Sequence, residues 1–271
     1  MSLIQFALYF QAAVFGLIVG SFLNVCVYRV PRKLSMGGRS YCPLCATPIP
    51  FYRNVPVATY LLQWGKTACC GKSISIQYPA VEFLTGVLSV LVFAESPSLA
   101  SYFVWFLLFI CPLIVISAVD FQLKIIPDVI SLSFMVIGIG VLAWEHFPDV
   151  LGGVTFSLLG ILVGGGTLWI LAEVVSRLKG VDAMGGGDIK LAAMLGAFLG
   201  WKSLLFIFFA SSVLALIYAL IIYLFRGPET DRQIPFGPFL SMAGMIYFLY
   251  GHAITDFYFY KSGFSHNPFF D

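Results

Sequence analysis

Two aspartates stand at the edges of long apolar runs: Asp120 in "VISAVDFQLKIIPD" and Asp188 in "MGGGDIKLAAMLGAFLG". An ionised carboxylate in such a place is costly to desolvate, and intramembrane acids tend to mark function. Two that converge share a proton, because like charges a few ångströms apart do not both ionise cheaply. That is the chemistry of an aspartic peptidase: one carboxylate takes a proton from water, and the other donates one to the scissile carbonyl. Gly185, Gly186 and Gly187 lead into Asp188. They leave the backbone open to a substrate strand or a neighbouring helix and permit dihedrals closed to other residues. A helix start there also offers free N–H groups beside the acid. The plainer alternative is a Gly-rich turn with Asp188 as an N-cap.

A second group is sulfur. Cys42, Cys45, Cys69 and Cys70 lie in a polar segment, and Cys42-Pro43-Leu44-Cys45 has the spacing of a metal knuckle. A further cysteine group some way downstream is how a four-thiolate zinc site closes. "CATPI" at 45–49 and "CGKSI" at 70–74 match in the placement of Cys and Ile, as two knuckles of a zinc ribbon do. In a reducing compartment structural disulfides are not expected, so the alternative is four reduced thiols in a small folded loop. Cys26 and Cys111 fall in apolar runs and read as packing residues.

The elements that position these groups are membrane helices. The chain has 271 residues, 60% hydrophobic and only 10% charged, which excludes an ordinary soluble globule and gives no basic stretch suited to nucleic acid. Apolar runs near 4–28, 81–99, 101–119, 129–146, 151–176, 187–201, 203–225 and 235–253 give eight spans, the sixth being the shortest. The expected fold class is an all-α polytopic protein in a lipid bilayer, with a small zinc-ribbon-like loop domain between the first two spans. The N-terminal run has no basic n-region and no cleavage site of the A-x-A type, so it reads as a retained helix.

Seven of the fifteen basic residues fall between Arg29 and Lys72, and no acid precedes Glu82. The positive-inside rule makes that segment cytoplasmic. Counting spans from it leaves only Lys202 and Lys261 outside, together with the N-terminus, His146, His252 and His266. Asp120 and Asp188 then share the cytoplasmic face, where chemistry proceeds without imidazole, and this weakens a serine or cysteine hydrolase.

"GGGDIKL" resembles the GxGD motif of intramembrane aspartyl proteases, and "DFQLKIIPD" resembles its partner motif in the type IV prepilin peptidases. "GSFLNVCVYRVP", "CPLCATPIPFYRNVP" and "ISIQYPAVEFLTG" are similar to the bifunctional members of that family, so the resemblance covers nearly the whole chain. It implies that Asp120 and Asp188 are the catalytic pair, with Asp128 supporting or facing the substrate. It implies cleavage of the basic leader from type IV prepilins or the pseudopilins of type II secretion at the bacterial inner membrane. N-methylation of the new terminus by S-adenosylmethionine would follow. One departure stands out: Thr67 occupies the first place of the second Cys-x-x-Cys, and Cys69 is an extra cysteine beside Cys70.

The implied organisation is a first helix (1–28), a cysteine-containing domain (29–80) and a peptidase domain (81–271). Glu82 is the candidate contact for the new amine, and Asp128 and Asp182 are candidate counter-charges for a basic leader. Glu173 either pairs with Arg177 one turn on or lines the active cavity. The extended cysteine segment favours the bifunctional form over the alternative of a peptidase without methylation, and two other classes share these features: a proton-coupled transporter using the paired acids, and a scaffold that binds pilins without cutting them. Transporter sites favour the bilayer midplane, whereas both aspartates fall at span ends.

Overall fold

A computed structural model describes residues 2–39, 41–42, 45–50, 55–180, 184–226 and 234–261, with side chains left aside at 252 and 254–261. The described residues form helices α1 (Leu3–Arg29), α2 (Ala58–Leu62), α3 (Gln77–Glu95), α4 (Leu99–Trp105), α5 (Cys111–Leu123), α6 (Asp128–Glu145), α7 (Val150–Lys179), α8 (Gly186–Arg226) and α9 (Gly237–Lys261). A π-helical turn, Phe106–Ile110, joins α4 to α5, so that Leu99–Leu123 runs as one span. Among the described residues, six helices are long and apolar enough to cross a bilayer, and the chain is a multi-pass membrane protein.

The sequence predicts separate spans at 187–201 and 203–225, and the break between them lies at Gly200, with φ 72° and ψ 173° inside α8. Only glycine enters that region without strain, and a Cβ there would run into the Phe156 ring. The arm before the break is about 21 Å long at 1.5 Å per residue, short of the roughly 30 Å hydrocarbon core. It is a core helix: Leu191, Ala192, Met194, Leu195, Ala197 and Phe198 are all fully buried. The arm after the break turns Leu205, Phe209 and Leu216 outward, as a lipid-facing helix must.

The chain divides into two compact units, Met1–Val119 and Asp120–Asp271. In the first, α1 and α3 approach through small residues. A Cβ on Gly16 would lie 2.9 Å from Gly86 Cα, and one on Gly20 2.8 Å from Glu82 Cα. The Ser89 hydroxyl bonds to the Ala12 carbonyl and to the Tyr102 hydroxyl, both at 2.7 Å. Phe15, Phe93, Tyr102, Phe103 and Phe106 form an edge-and-face cluster around that point.

In the second unit, α7 and α8 meet backbone to backbone. Gly160 and Gly196 face one another so closely that neither admits a Cβ, and Gly164 abuts the Ala192 carbonyl. The Ser157 hydroxyl donates to the Ala197 carbonyl at 2.8 Å, which satisfies it inside the seam. Without a hydrophobic drive between helices in lipid, close packing of this kind holds spans together. The α6 face joins at Gly138 against Phe198, and α9 at Gly244 against Leu195, so three helices fix the arm that carries Asp188.

Candidate active site

Asp120 lies in the last turn of α5 and is only 5% exposed. The helix ends just beyond it: Lys124 adopts φ 55° and its N–H returns to the Asp120 carbonyl at 2.9 Å. Pro127 then caps α6. The Asp120 carboxylate accepts the Gly237 N–H at 3.1 Å, one of the free donors at the start of α9. A Cβ on Gly237 would lie 2.7 Å from that carboxylate oxygen, so glycine is what allows the approach.

Asp188 lies in the first turn of α8, half buried, and its N–H bonds to the Gly185 carbonyl at 3.1 Å. Its carboxylate is near enough to that of Asp120 for the two to interact as like charges. Ile126 sits between their supports: its side chain fills the space beside Gly187, where a Cβ would be 2.9 Å away, and touches the space beside Gly237 at 3.0 Å. The α5–α6 loop, the start of α8 and the start of α9 therefore converge on one pair of acids. Of the three glycines, Gly187 is the one required by packing. Gly185 and Gly186 are exposed and uncrowded, and none of the three has a positive φ.

Asp128, at the start of α6, is paired with Lys190 at 2.7 Å, both side chains being partly exposed. The pair ties the start of α6 to α8 beside the dyad's own helix. Asp182 lies outside the described residues. Glu173 pairs with Arg177 at 2.7 Å on an exposed face of α7, which is the first of its two readings. Among the described side chains, His146 bonds only to its own helix, at the Leu142 carbonyl.

The four loop cysteines come together, their sulfur atoms all within 4.8 Å of one another. A tetrahedral zinc thiolate site has sulfurs about 3.8 Å apart, so the donor set and its spacing fit a metal. The backbone repeats at an offset of 25 residues, from 42 to 67 and from 45 to 70. Tyr41 bridges to Pro48 and Lys66 to Ser73. The Cys42 N–H bonds to Thr47 O at 2.9 Å and the Thr67 N–H to Lys72 O at 2.7 Å. Ala46 and Gly71 both take positive φ. These are two knuckles of one design. Thr67 fills the first ligand place of the second, its hydroxyl 3.1 Å from Cys70 Sγ, and Cys69 brings the replacement thiol to 3.3 Å from Cys45 Sγ.

Thr47 holds the Cys45 thiol down at about 6 by hydrogen bonding from its side chain and backbone. Cys69, facing that thiolate, keeps its proton and is pushed up to about 12. Thr67 and the Lys72 backbone lower Cys70.

Glu82, on α3, accepts the Val57 N–H at 2.7 Å. That contact, the Gly237 donor, the Ile126 wedge and Lys190 escaped the sequence reading. Only Gly237 carried a signal, as the glycine in "QIPFGPFL".

The fold and site define an all-helical, multi-pass membrane protein with two acids gathered at helix ends and a four-thiol loop between its first two spans. A model of the bacterial peptidase A24 N-terminal domain matches residues 14–96, and one of the type IV leader peptidase family matches residues 107–220. The chain belongs to the prepilin leader peptidase family. It is 35% identical over 265 residues to a prepilin leader peptidase/N-methyltransferase of Neisseria gonorrhoeae, covering 88% of each chain. Proteins of the same name from Aeromonas salmonicida and Pseudomonas aeruginosa are each 32% identical. The first pairing covers 93% of this chain and 94% of the relative, the second 92% of each. No solved structure matches the chain.

Proposed function

We propose that this chain cleaves the basic leader from type IV prepilins or pseudopilins and then methylates the new N-terminal amine. Asp120 and Asp188 carry the cleavage. The observation behind this reading is the convergence of their carboxylates at three helix ends, with the Gly237 N–H on Asp120. One acid, ionised, takes a proton from the attacking water. The other, protonated, donates to the scissile carbonyl, and the roles reverse as the leaving amine departs. The exposed backbone at Gly185 and Gly186 is the approach for an extended substrate segment, because nothing there projects into its path.

The basic excess at 29–72 supports an inner-membrane topology with the thiol loop and the dyad on the cytoplasmic side and the N-terminus outside. A leader held inside by its own charge then meets the dyad where its helix enters the bilayer. The work divides among the first helix (1–28), the thiol loop domain (29–80) and the peptidase domain (81–271). Cys42, Cys45, Cys69 and Cys70 would hold zinc as four thiolates, a structural role that ties the two knuckles together. S-adenosylmethionine is the expected methyl donor, in line with the relatives' second activity.

The test is incubation of the purified protein with a prepilin and S-adenosylmethionine, followed by intact-mass measurement. Loss of the leader plus about 14 Da on the new terminus is expected, and cleavage should vanish in Asp120→Asn and Asp188→Asn. Processing at a normal rate by either variant would refute the dyad.

A further inference from the structure

Within the first unit, the cytoplasmic ends of α1 and α3 and the thiol loop line a half-open cavity of about 1250 Å³. Its membrane-side wall carries Ser21, Asn24, Tyr78 and Glu82, and its aromatic lining includes Phe22 and Tyr41. The volume exceeds that of a pocket for one small molecule, typically 300 to about 1,000 Å³, and leaves room for a chain end beside it.

The charge inventory is one-sided. Through residue 94 the sequence contains one acid, Glu82, against the seven basic residues of the loop. Glu82 is the one carboxylate among the residues lining the cavity. It is also held in place. Val57 donates its N–H to Oε2 at 2.7 Å, and the Ser21 and Asn24 side chains lie beside the same carboxylate. A carboxylate accepts about four hydrogen bonds, so the Val57 donor leaves acceptor capacity on a group that lines the cavity. Val57 reaches Glu82 at a cost, since a β-branched residue at φ 57°, ψ −48° is a backbone outlier. Such conformations persist where the surroundings over-determine them, and they cluster at functional sites.

We propose that this cavity binds the sulfonium methyl donor together with the new pilin N-terminus, and that Glu82 is the catalytic group that takes the proton from the terminal ammonium. The inference rests on the methyltransferase reading above and locates its site. Two cations, an ammonium and a sulfonium, must meet for the transfer; a carboxylate attracts the ammonium and, by taking its proton, leaves the sulfonium as the one cation of the reacting pair. The ammonium gives one proton to Glu82. The freed nitrogen lone pair attacks the methyl carbon, the carbon–sulfur bond breaks, and its electron pair returns to sulfur as a neutral thioether. The product is a secondary ammonium, and Glu82 passes its proton to water. Asn24, whose amide donates to the Tyr78 carbonyl at 3.0 Å, keeps the α1 and α3 walls in register.

The experiment uses the full-length protein in detergent with a prepilin, S-adenosylmethionine as donor and S-adenosylhomocysteine as the binding probe. Wild-type protein that cleaves but never methylates would reject the bifunctional reading itself. Given methylation, Glu82→Gln should lower its kcat about 100-fold or more, the usual scale for losing a general base. Cleavage should continue, and calorimetric affinity for S-adenosylhomocysteine should stay within about threefold, as expected if Glu82 acts on the amine. Glu82→Asp should recover part of the rate. Methylation within about fivefold of wild type in Glu82→Gln would overturn the role. So would loss of probe binding in parallel with rate, since that marks a structural acid. Photolabelling with tritiated donor should map to residues 18–28 or 55–82, and label confined to 120–271 would overturn the location.

Discussion

Replacing Gly237 with alanine tests the dyad through a residue that is not itself an acid. The new Cβ would stand 2.7 Å from the Asp120 carboxylate oxygen and 3.0 Å from Ile126 Cδ1. Ordinary contact begins near 3.4 Å, so the carboxylate must retreat by about 0.7 Å or α9 must lift away from it. Either movement stretches the 3.1 Å bond from the Gly237 N–H beyond useful length. A hydrogen bond to a charged group contributes about 1.5–3 kcal/mol, which corresponds to roughly a 10- to 150-fold change in rate. Misplacing a reacting group by about 1 Å costs a similar factor. Cleavage by Gly237→Ala should therefore fall about 100-fold in kcat/KM, chiefly in kcat, because the substrate-binding surface is untouched. The assay is leader release from a prepilin in detergent, followed by mass. Gly166→Ala is the matched control: nothing lies within 4 Å of a Cβ there, so it should cleave normally. Cleavage by Gly237→Ala within about threefold of Gly166→Ala would show that the α9 donor does not position Asp120 and would refute the reasoning.

Gly160→Val places a branched side chain against the Gly196 carbonyl, and thermal unfolding in detergent should show the α7–α8 seam lost, with destabilisation of at least about 3 kcal/mol. Purified protein should hold about one zinc per chain, and Cys69→Ser should lower that content more than Thr67→Ala does, as read by elemental analysis. After chelation, alkylation at pH 7 followed by peptide mapping should mark Cys45 first and Cys69 last, because Cys45 titrates at about 6 and Cys69 at about 12. Raising the pH through 6 should increase the Cys45 rate and then leave it level, since the thiolate is the nucleophile. A double-mutant cycle between Asp128 and Lys190 should give a coupling of no more than about 1 kcal/mol, as for exposed pairs. Asp182→Lys should raise KM for a leader bearing Lys and Arg more than for one with glutamine in their place, by an amount that shrinks with salt.

What could be read from the sequence was whatever a short stretch of chain decides. The spans follow from runs of apolar residues, since the bilayer imposes its thickness on each helix separately. The shortness of the 187–201 run marked the arm that ends at Gly200, although its burial inside three helices is a matter of packing. The thiol knuckles were legible for the same local reason, because each is closed by bonds between residues five apart. The Gly237 donor to Asp120 crosses 117 positions, Lys190 to Asp128 crosses 62, and Val57 to Glu82 crosses 25. Nothing in the local pattern of either partner announces those pairings. Asp128 shows the consequence: beside its motif it stands as a lone acid, and the lysine it pairs with comes from another helix. Thr67 shows the converse. By position alone it breaks the ligand set, yet the backbone around it keeps the knuckle shape and Cys69, two residues on, delivers its sulfur to the cluster. A ligand lost from its place in the sequence can thus be regained in space, provided that the fold around it is closed by backbone bonds that do not depend on the side chain replaced.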